Sequence, residues 1–279
     1  MSKNKGKIII FDSCSGGFGV LNHFLKWAGD YELIFVADYE RNSFGIQTKE
    51  EICGIIESWF EDYISTLGKD SVKLVVIACN TASIASVSIV GDLEGKYGIP
   101  VVSMIDGFGL SLDKNEEFVE CKNVGIFATK YSIESGLYAK NLYDHGAKEV
   151  FNIIGTNSEA SVASGYYDED DGKNDIEREL EPFINADLDT IVLGCTCFEL
   201  IKPQIKKVID ETIDFINPGY YLSEKAKDVL GVGSNTSIEP GQVRLLTTKL
   251  NDKSKKGIDN SSLNYFNCKL EISELVIQR

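Results

Sequence analysis

An internal repeat, displaced by 116 residues, governs what fold this sequence can adopt. Lys7–Phe11 (KIIIF) returns as Asn123–Phe127 (NVGIF), and Leu33–Phe35 returns as Glu149–Phe151. Lys73–Ile77 (KLVVI) returns as Asp189–Leu193 (DTIVL), and a cysteine follows in both copies: Ala78-Cys79-Asn80 and Gly194-Cys195-Thr196. Ile99–Val102 maps onto Phe215–Pro218, where the match weakens. The first-copy runs in particular are short and rich in Ile and Val, the pattern of strands buried on both faces. Between them, Leu21-x-x-Phe24-Leu25-x-x-Ala28 and Ile52-x-x-Ile55-Ile56-x-x-Trp59-Phe60-x-x-Tyr63 each line one helical face with apolar residues. Strand alternating with helix implies right-handed βαβ units. The expected class is therefore α/β: two pseudo-symmetric domains with mostly parallel sheets, residues 1–104 and 105–216, and the active site in the cleft between them. Beyond them a helix is expected at Leu222–Leu230, after a turn at Asn217-Pro218-Gly219. Two polar stretches, Gly165–Asp175 and Asn251–Ser262, are expected as loops.

A chain of 279 residues, 43% of them hydrophobic, can bury a large core. Its net charge of −15 offers no basic footprint for nucleic acid. The apolar run Ile8–Phe11 stops at Asp12, too short for a signal peptide, and no uninterrupted apolar stretch suggests a membrane span. Cys14, Cys53, Cys79, Cys121, Cys195, Cys197 and Cys268 form an odd, scattered set. That suits reduced thiols of a cytoplasmic protein better than a disulfide framework. Cys195-x-Cys197 is the one tight pair, and His23 and His145 are the only histidines. Four-ligand zinc spacing is missing, so no metal is expected.

Ligands of parallel α/β sheets bind beyond the carboxyl ends of the strands, where both Cys79 and Cys195 fall. The small polar residues after them can cap a following helix and leave N–H groups for an anion. The same surroundings are expected to draw a thiol's pKa down from about 8.5. A buried inert thiol is the bland alternative for either cysteine alone; two at equivalent points of a repeat favour function. Two opposed thiols suit racemisation, in which one removes an α-proton and the other returns a proton on the opposite face. Ser13, Asn80, Thr81, Thr129 and Thr196 also follow strand runs and could grip carboxylates. Asp12, at the first strand end, could orient an amino group or the Cys79 proton. Ser15-Gly16-Gly17-Phe18-Gly19 has neither dinucleotide nor P-loop spacing and reads as a tight turn near a carboxylate.

At these residues the chain resembles glutamate racemase, of the aspartate/glutamate racemase superfamily. Phe11-Asp12-Ser13-x-x-Gly16-Gly17 is similar to the family's opening motif, and Ala78-Cys79-Asn80-Thr81-Ala82-Ser83 matches its first cysteine motif. Val124-Gly125-Ile126, Thr129, Ser132 and Ser135-Gly136-x-Tyr138 resemble the motif opening the second half. Leu193-Gly194-Cys195-Thr196 matches the second cysteine motif, and Asn217-Pro218-Gly219 the turn that follows. The resemblance implies cofactor-free interconversion of L- and D-glutamate for cell-wall peptidoglycan, with Cys79 and Cys195 as the acid/base pair. It further implies substrate contacts at Asp12-Ser13, Phe44-Gly45, Asn80-Thr81 and Thr196-Cys197, a homodimer, and residues 217–279 joined to residues 1–104.

The chain departs from the family at three places. Cys197 stands where the family has a histidine thought to assist the second cysteine, and neither His23 nor His145 lies where a replacement is expected. Ser43-Phe44-Gly45 replaces a Pro-Tyr-Gly tripeptide. The stretch holding an auxiliary glutamate has no match around Gly155–Ala163, where Glu159 is a loose candidate. Two other readings stay open on these grounds. One is a superfamily enzyme for another carboxylate (an aspartate racemase, maleate-type isomerase or decarboxylase); the other is a glutamate-binding regulator without turnover.

Overall fold

The computed structural model describes residues 5–114, 120, 122–233 and 237–274, so Cys121 lies outside the described residues. Among the described residues, ten strands form two sheets. β1 (Lys7–Asp12), β2 (Glu32–Ala37), β3 (Val72–Ile77) and β4 (Val101–Ser103) belong to the first, with β9 (Arg244–Thr247) and β10 (Ile272–Glu274). β5 (Asn123–Ala128), β6 (Glu149–Ile154), β7 (Thr190–Gly194) and β8 (Asp214–Ile216) make the second. Every pairing is parallel. The order β2-β1-β3-β4 in one sheet recurs as β6-β5-β7-β8 in the other, and β9 and β10 extend the first beyond β2. The α/β class with two parallel sheets is thus the architecture observed.

Continuous apolar runs form these strands because both sheet faces are covered. Ile8, Ile10, Leu33, Phe35, Leu74 and Val76 enter one core, and Ile9, Phe11, Ile34, Val36, Val75 and Ile77 enter another. In the second sheet Phe127, Ile191 and Leu193 face one core, while Val124, Ile126, Ala128 and Val192 face the other. Among the described residues, no helix is long and apolar enough to cross a membrane.

The helices expected near Leu21 and Ile52 are Phe18–Leu25 and Lys49–Trp59; the latter continues as a π-helical turn over Phe60–Ile64. The Leu222 helix starts earlier, at Pro218, with Asn217 as its N-cap. Both expected loops need correction. Helix Asp170–Leu180 occupies much of the first stretch and buries Gly172, Ile176 and Leu180 at four-residue spacing. Helix Asp252–Phe266 occupies the second, opened by the side chain of Asn251 accepting from Ser254 N–H, and buries Ser254, Gly257, Ile258, Ser261 and Ser262. Its packing face is small and polar, which allows a close approach that an apolar-stripe search passes over.

That face straps the two halves together. Asn260 Nδ2 donates to Gly165 O at 2.7 Å, Lys256 pairs with Glu169 at 2.5 Å, and the Ser261 hydroxyl lies 3.0 Å from that of Ser15. A methyl group on Gly257 would stand 2.1 Å from the Ala163 carbonyl oxygen, which cannot yield without moving a helix end. Gly257→Ala is therefore expected to lower folding stability by about 1–3 kcal/mol. Urea denaturation checks this, and an unchanged midpoint would show that the helix can retreat freely.

Candidate active site

The carboxyl ends of β1, β3, β5 and β7 meet between the sheets, each delivering residues singled out by the repeat. Asp12 ends β1, and its carboxylate is fully buried. It accepts from Cys14 N–H at 3.2 Å, from the Ser13 hydroxyl at 3.4 Å and, across the sheets, from Thr196 Oγ1 at 3.1 Å. Burial raises the Asp12 pKa to about 7, against the pull of those donors. Cys79 precedes helix Asn80–Ser86, and its Sγ donates to Ser13 Oγ at 3.7 Å.

Further contacts tie the halves at the same level. Thr81 Oγ1 and Thr129 Oγ1 lie 2.8 Å apart, and Thr129 donates to Ser132 Oγ at 3.0 Å. Tyr138 donates from its hydroxyl to the side-chain oxygen of Asn80. Gly45 backs onto Thr129, where an added methyl would come within 2.8 Å of Thr129 Cβ. The Phe44 ring stacks on Trp59 at 5.7 Å, so its bulk serves the core. Ser43 Oγ donates to Glu159 Oε2 at 3.0 Å, bringing together two of the positions where the chain departs from the family motif.

The charge of Cys195 reaches Cys79, and the charges of both reach Tyr138. The sequence led us to expect lowered thiol pKa values, but Cys79 shows the reverse. Burial above all, then the charges of Asp12 and Cys195, push it up; Ala82 N–H and Ser13 act only partly against them. Cys197 is likewise raised, by hydrogen bonds with Cys14 and Cys195 and by burial. A desolvated thiol in such a field ionises more readily once positive charge is brought beside it. Asp12, Ser13, Phe44, Asn80, Thr81, Thr129, Thr196, Cys79, Cys195 and Cys197 are all buried, none more than 8% exposed.

Neither histidine enters the site. His23 lies against the Tyr220 ring, where burial, Lys26 and Lys202 lower its pKa to about 4. His145 contacts Asn141 O and Asp113 at the surface. Ser132 and Tyr138 contribute through the motif opening the second half, whereas Cys14 carried no sequence signal beyond its place after β1.

The family model described as Asp/Glu/Hydantoin racemase matches residues 28–219, more than half of the chain. The chain belongs to this family. A relative named glutamate racemase 1, from Caldanaerobacter subterraneus subsp. tengcongensis, is 30% identical over 251 residues, which cover 89% of each protein. The fold is shared with a glutamate racemase isoform of Bacillus anthracis, at a TM-score of 0.79 and 20% identity over 98% of each chain. It is also shared with the glutamate racemase of Francisella tularensis in complex with D-glutamate, at a TM-score of 0.78 and 20% identity over 99% of this chain and 98% of that one.

Within this family frame, Cys197 has little room for anything larger. Its sulfur lies 3.5 Å from that of Cys14, and a methyl on Gly16 would stand 2.7 Å from it. Cys197→His, which restores the family residue, is accordingly expected to lower both turnover and stability, the latter by about 1–3 kcal/mol. Initial rates and urea midpoints check this, with Cys14→Gly added to relieve the crowding. A faster, equally stable single variant would show that an imidazole fits.

Proposed function

We propose that this chain interconverts L- and D-glutamate by a cofactor-independent 1,1-proton transfer, with Cys79 and Cys195 as the two acid/base groups. The observation that carries this reading is a pair of thiols, Cys79 and Cys195, at equivalent strand ends of a duplicated fold, both buried among polar side chains at the level where Thr196 donates to Asp12 across the halves. In each direction one sulfur, as thiolate, removes the α-proton, and the other, as thiol, protonates the opposite face. The roles exchange for the reverse reaction. Ser13, Asn80, Thr81, Thr129 and Thr196 supply hydrogen bonds to the substrate carboxylates and to charge developing on the α-carboxylate. Asp12 faces the ammonium, while Phe44-Gly45 and Cys197 complete the wall.

The relatives named for glutamate, one of them solved with D-glutamate, support the choice of substrate. In this reading residues 1–104 with 217–279 form one domain and residues 105–216 the other, supported by β9 and β10 joining the sheet of β1–β4. The protein works in the cytoplasm as a homodimer and supplies D-glutamate for peptidoglycan. Proton NMR in deuterated water tests the activity: the Cα proton of L- or D-glutamate should exchange as the opposite enantiomer accumulates. Exchange confined to aspartate would move the substrate assignment, and exchange with neither amino acid would end the racemase reading.

A further inference from the structure

Beside the two proposed acid/base thiols lies a second cluster with donors from both halves. Cys14 follows β1, Glu159 lies on helix Thr156–Ala163, and Cys197 opens helix Cys197–Leu200. One donor atom from each lies within 4.8 Å of the others, and all three side chains are buried. The Cys14 and Cys197 sulfurs are 3.5 Å apart. At a zinc–sulfur length of about 2.3 Å, such a separation subtends about 100° at a shared metal, close to a tetrahedral angle.

The donors are also oriented from behind, as metal ligands usually are. Gly16 N–H donates to Cys14 Sγ at 3.3 Å. Glu159 accepts from Ser43 Oγ at 3.0 Å and from the Asn42 side chain. The Cys195 thiol is in hydrogen-bond contact with Cys197, so a cation held by Cys197 would stand next to a sulfur assigned to catalysis.

We propose that Cys14, Glu159 and Cys197 form a zinc site, and that its occupation shuts off proton transfer by drawing Cys195 toward the metal. Two soft sulfurs and one carboxylate select zinc over magnesium or calcium, which require oxygen ligands. On binding, the S–H bonds of Cys14 and Cys197, and that of Cys195 as it joins as a further ligand, give way to S–Zn bonds, and one proton per thiol leaves to solvent; no oxidation state changes. Because Cys14 comes from one half and the other two ligands from the second, the cation also ties the halves together. The inhibitory role rests on the proposed racemase activity, whereas the binding site does not.

The full chain, kept reduced under argon, is titrated with Co²⁺ as a spectroscopic probe. One equivalent should bind with a near-ultraviolet sulfur-to-cobalt charge-transfer band, and Zn²⁺ should displace it. Cys14→Ser and Glu159→Gln should each weaken Co²⁺ binding roughly tenfold or more. Thermal melts of metal-free protein establish that each variant is folded, and either variant alone suffices for the test. Zinc should slow racemisation of the wild type reversibly on addition of EDTA. Its effect, scored as the rate ratio with and without metal, should shrink in both variants. Absence of the band, or a band unchanged in both variants, would overturn the site. Binding without loss of rate would overturn the inhibitory role. A chain inactive with and without metal would refute the proposed activity and leave the cobalt titration to judge the site.

Discussion

Cys79→Ser and Cys195→Ser are each expected to lower the racemisation rate roughly 10³- to 10⁴-fold in both directions, the upper range for a positioned acid/base group. The loss is symmetric because a turnover in either direction uses both groups, one as base and one as acid. α-Proton exchange should behave differently. A chain retaining one thiol can still take the proton from the enantiomer that presents it, so slow exchange without inversion should persist. It should persist from opposite enantiomers in the two variants. Serine keeps a hydroxyl near the Ser13 oxygen that now accepts from Cys79 at 3.7 Å, so the pocket should survive the change. Circular dichroism of the amino acid measures inversion, and NMR in deuterated water measures exchange. Either variant retaining a tenth of the wild-type rate, or both exchanging the same enantiomer, would remove the two-base mechanism.

The duplication was legible because buried parallel strands are written as uninterrupted apolar runs, which survive where loops diverge. By register β1 and β3 align with β5 and β7 at the offset read from the sequence, whereas β6 stands one residue further along than that offset places the copy of β2. β4 begins at Val101 and β8 at Asp214, a shorter displacement, because the connections before them differ in length. The last part of the chain was harder to read. β9 and β10 are short strands, and helix Asp252–Phe266 packs through serines and glycine. Small polar residues give no amphipathic signal, although they allow the contact that straps the halves together.

The site divides along similar lines. Positions immediately after a strand are fixed by the sheet, so Asp12, Ser13, Cys79, Asn80, Thr129, Cys195 and Thr196 could be placed at its carboxyl edge from periodicity alone. Contacts across the halves could not. The pairing of Thr196 with Asp12, of Tyr138 with Asn80 and of Ser43 with Glu159 depends on how two sheets face each other. The thiol electrostatics were misread for the same reason. A cysteine before a helix suggests a lowered pKa, but burial beside a carboxylate outweighs the single helix N–H that reaches the Cys79 sulfur.

That carboxylate should set the acid limb of the reaction. Asp12 has no solvent exposure, and burial raises its pKa from 3.8 to about 7. The charged form is the one that can balance a substrate ammonium, so kcat/KM, which reports the free enzyme, should rise with pH through about 7. Asp12→Asn preserves the shape and an acceptor oxygen but removes the charge. Turnover should fall roughly 10²- to 10³-fold and the acid limb should disappear. Stability supplies an independent readout with the opposite sign from an ordinary paired carboxylate. Between pH 3.8 and about 7 the folded chain holds the Asp12 proton while the unfolded chain has released it. Its contribution to stability is therefore largest at the acid end and falls as pH rises through that window. In the asparagine variant this component is absent, so the stability difference between the two proteins should narrow toward low pH from an asparagine advantage near pH 7. An acid limb that persists in Asp12→Asn would belong to another group, and Glu159, also raised by burial, is the next to replace.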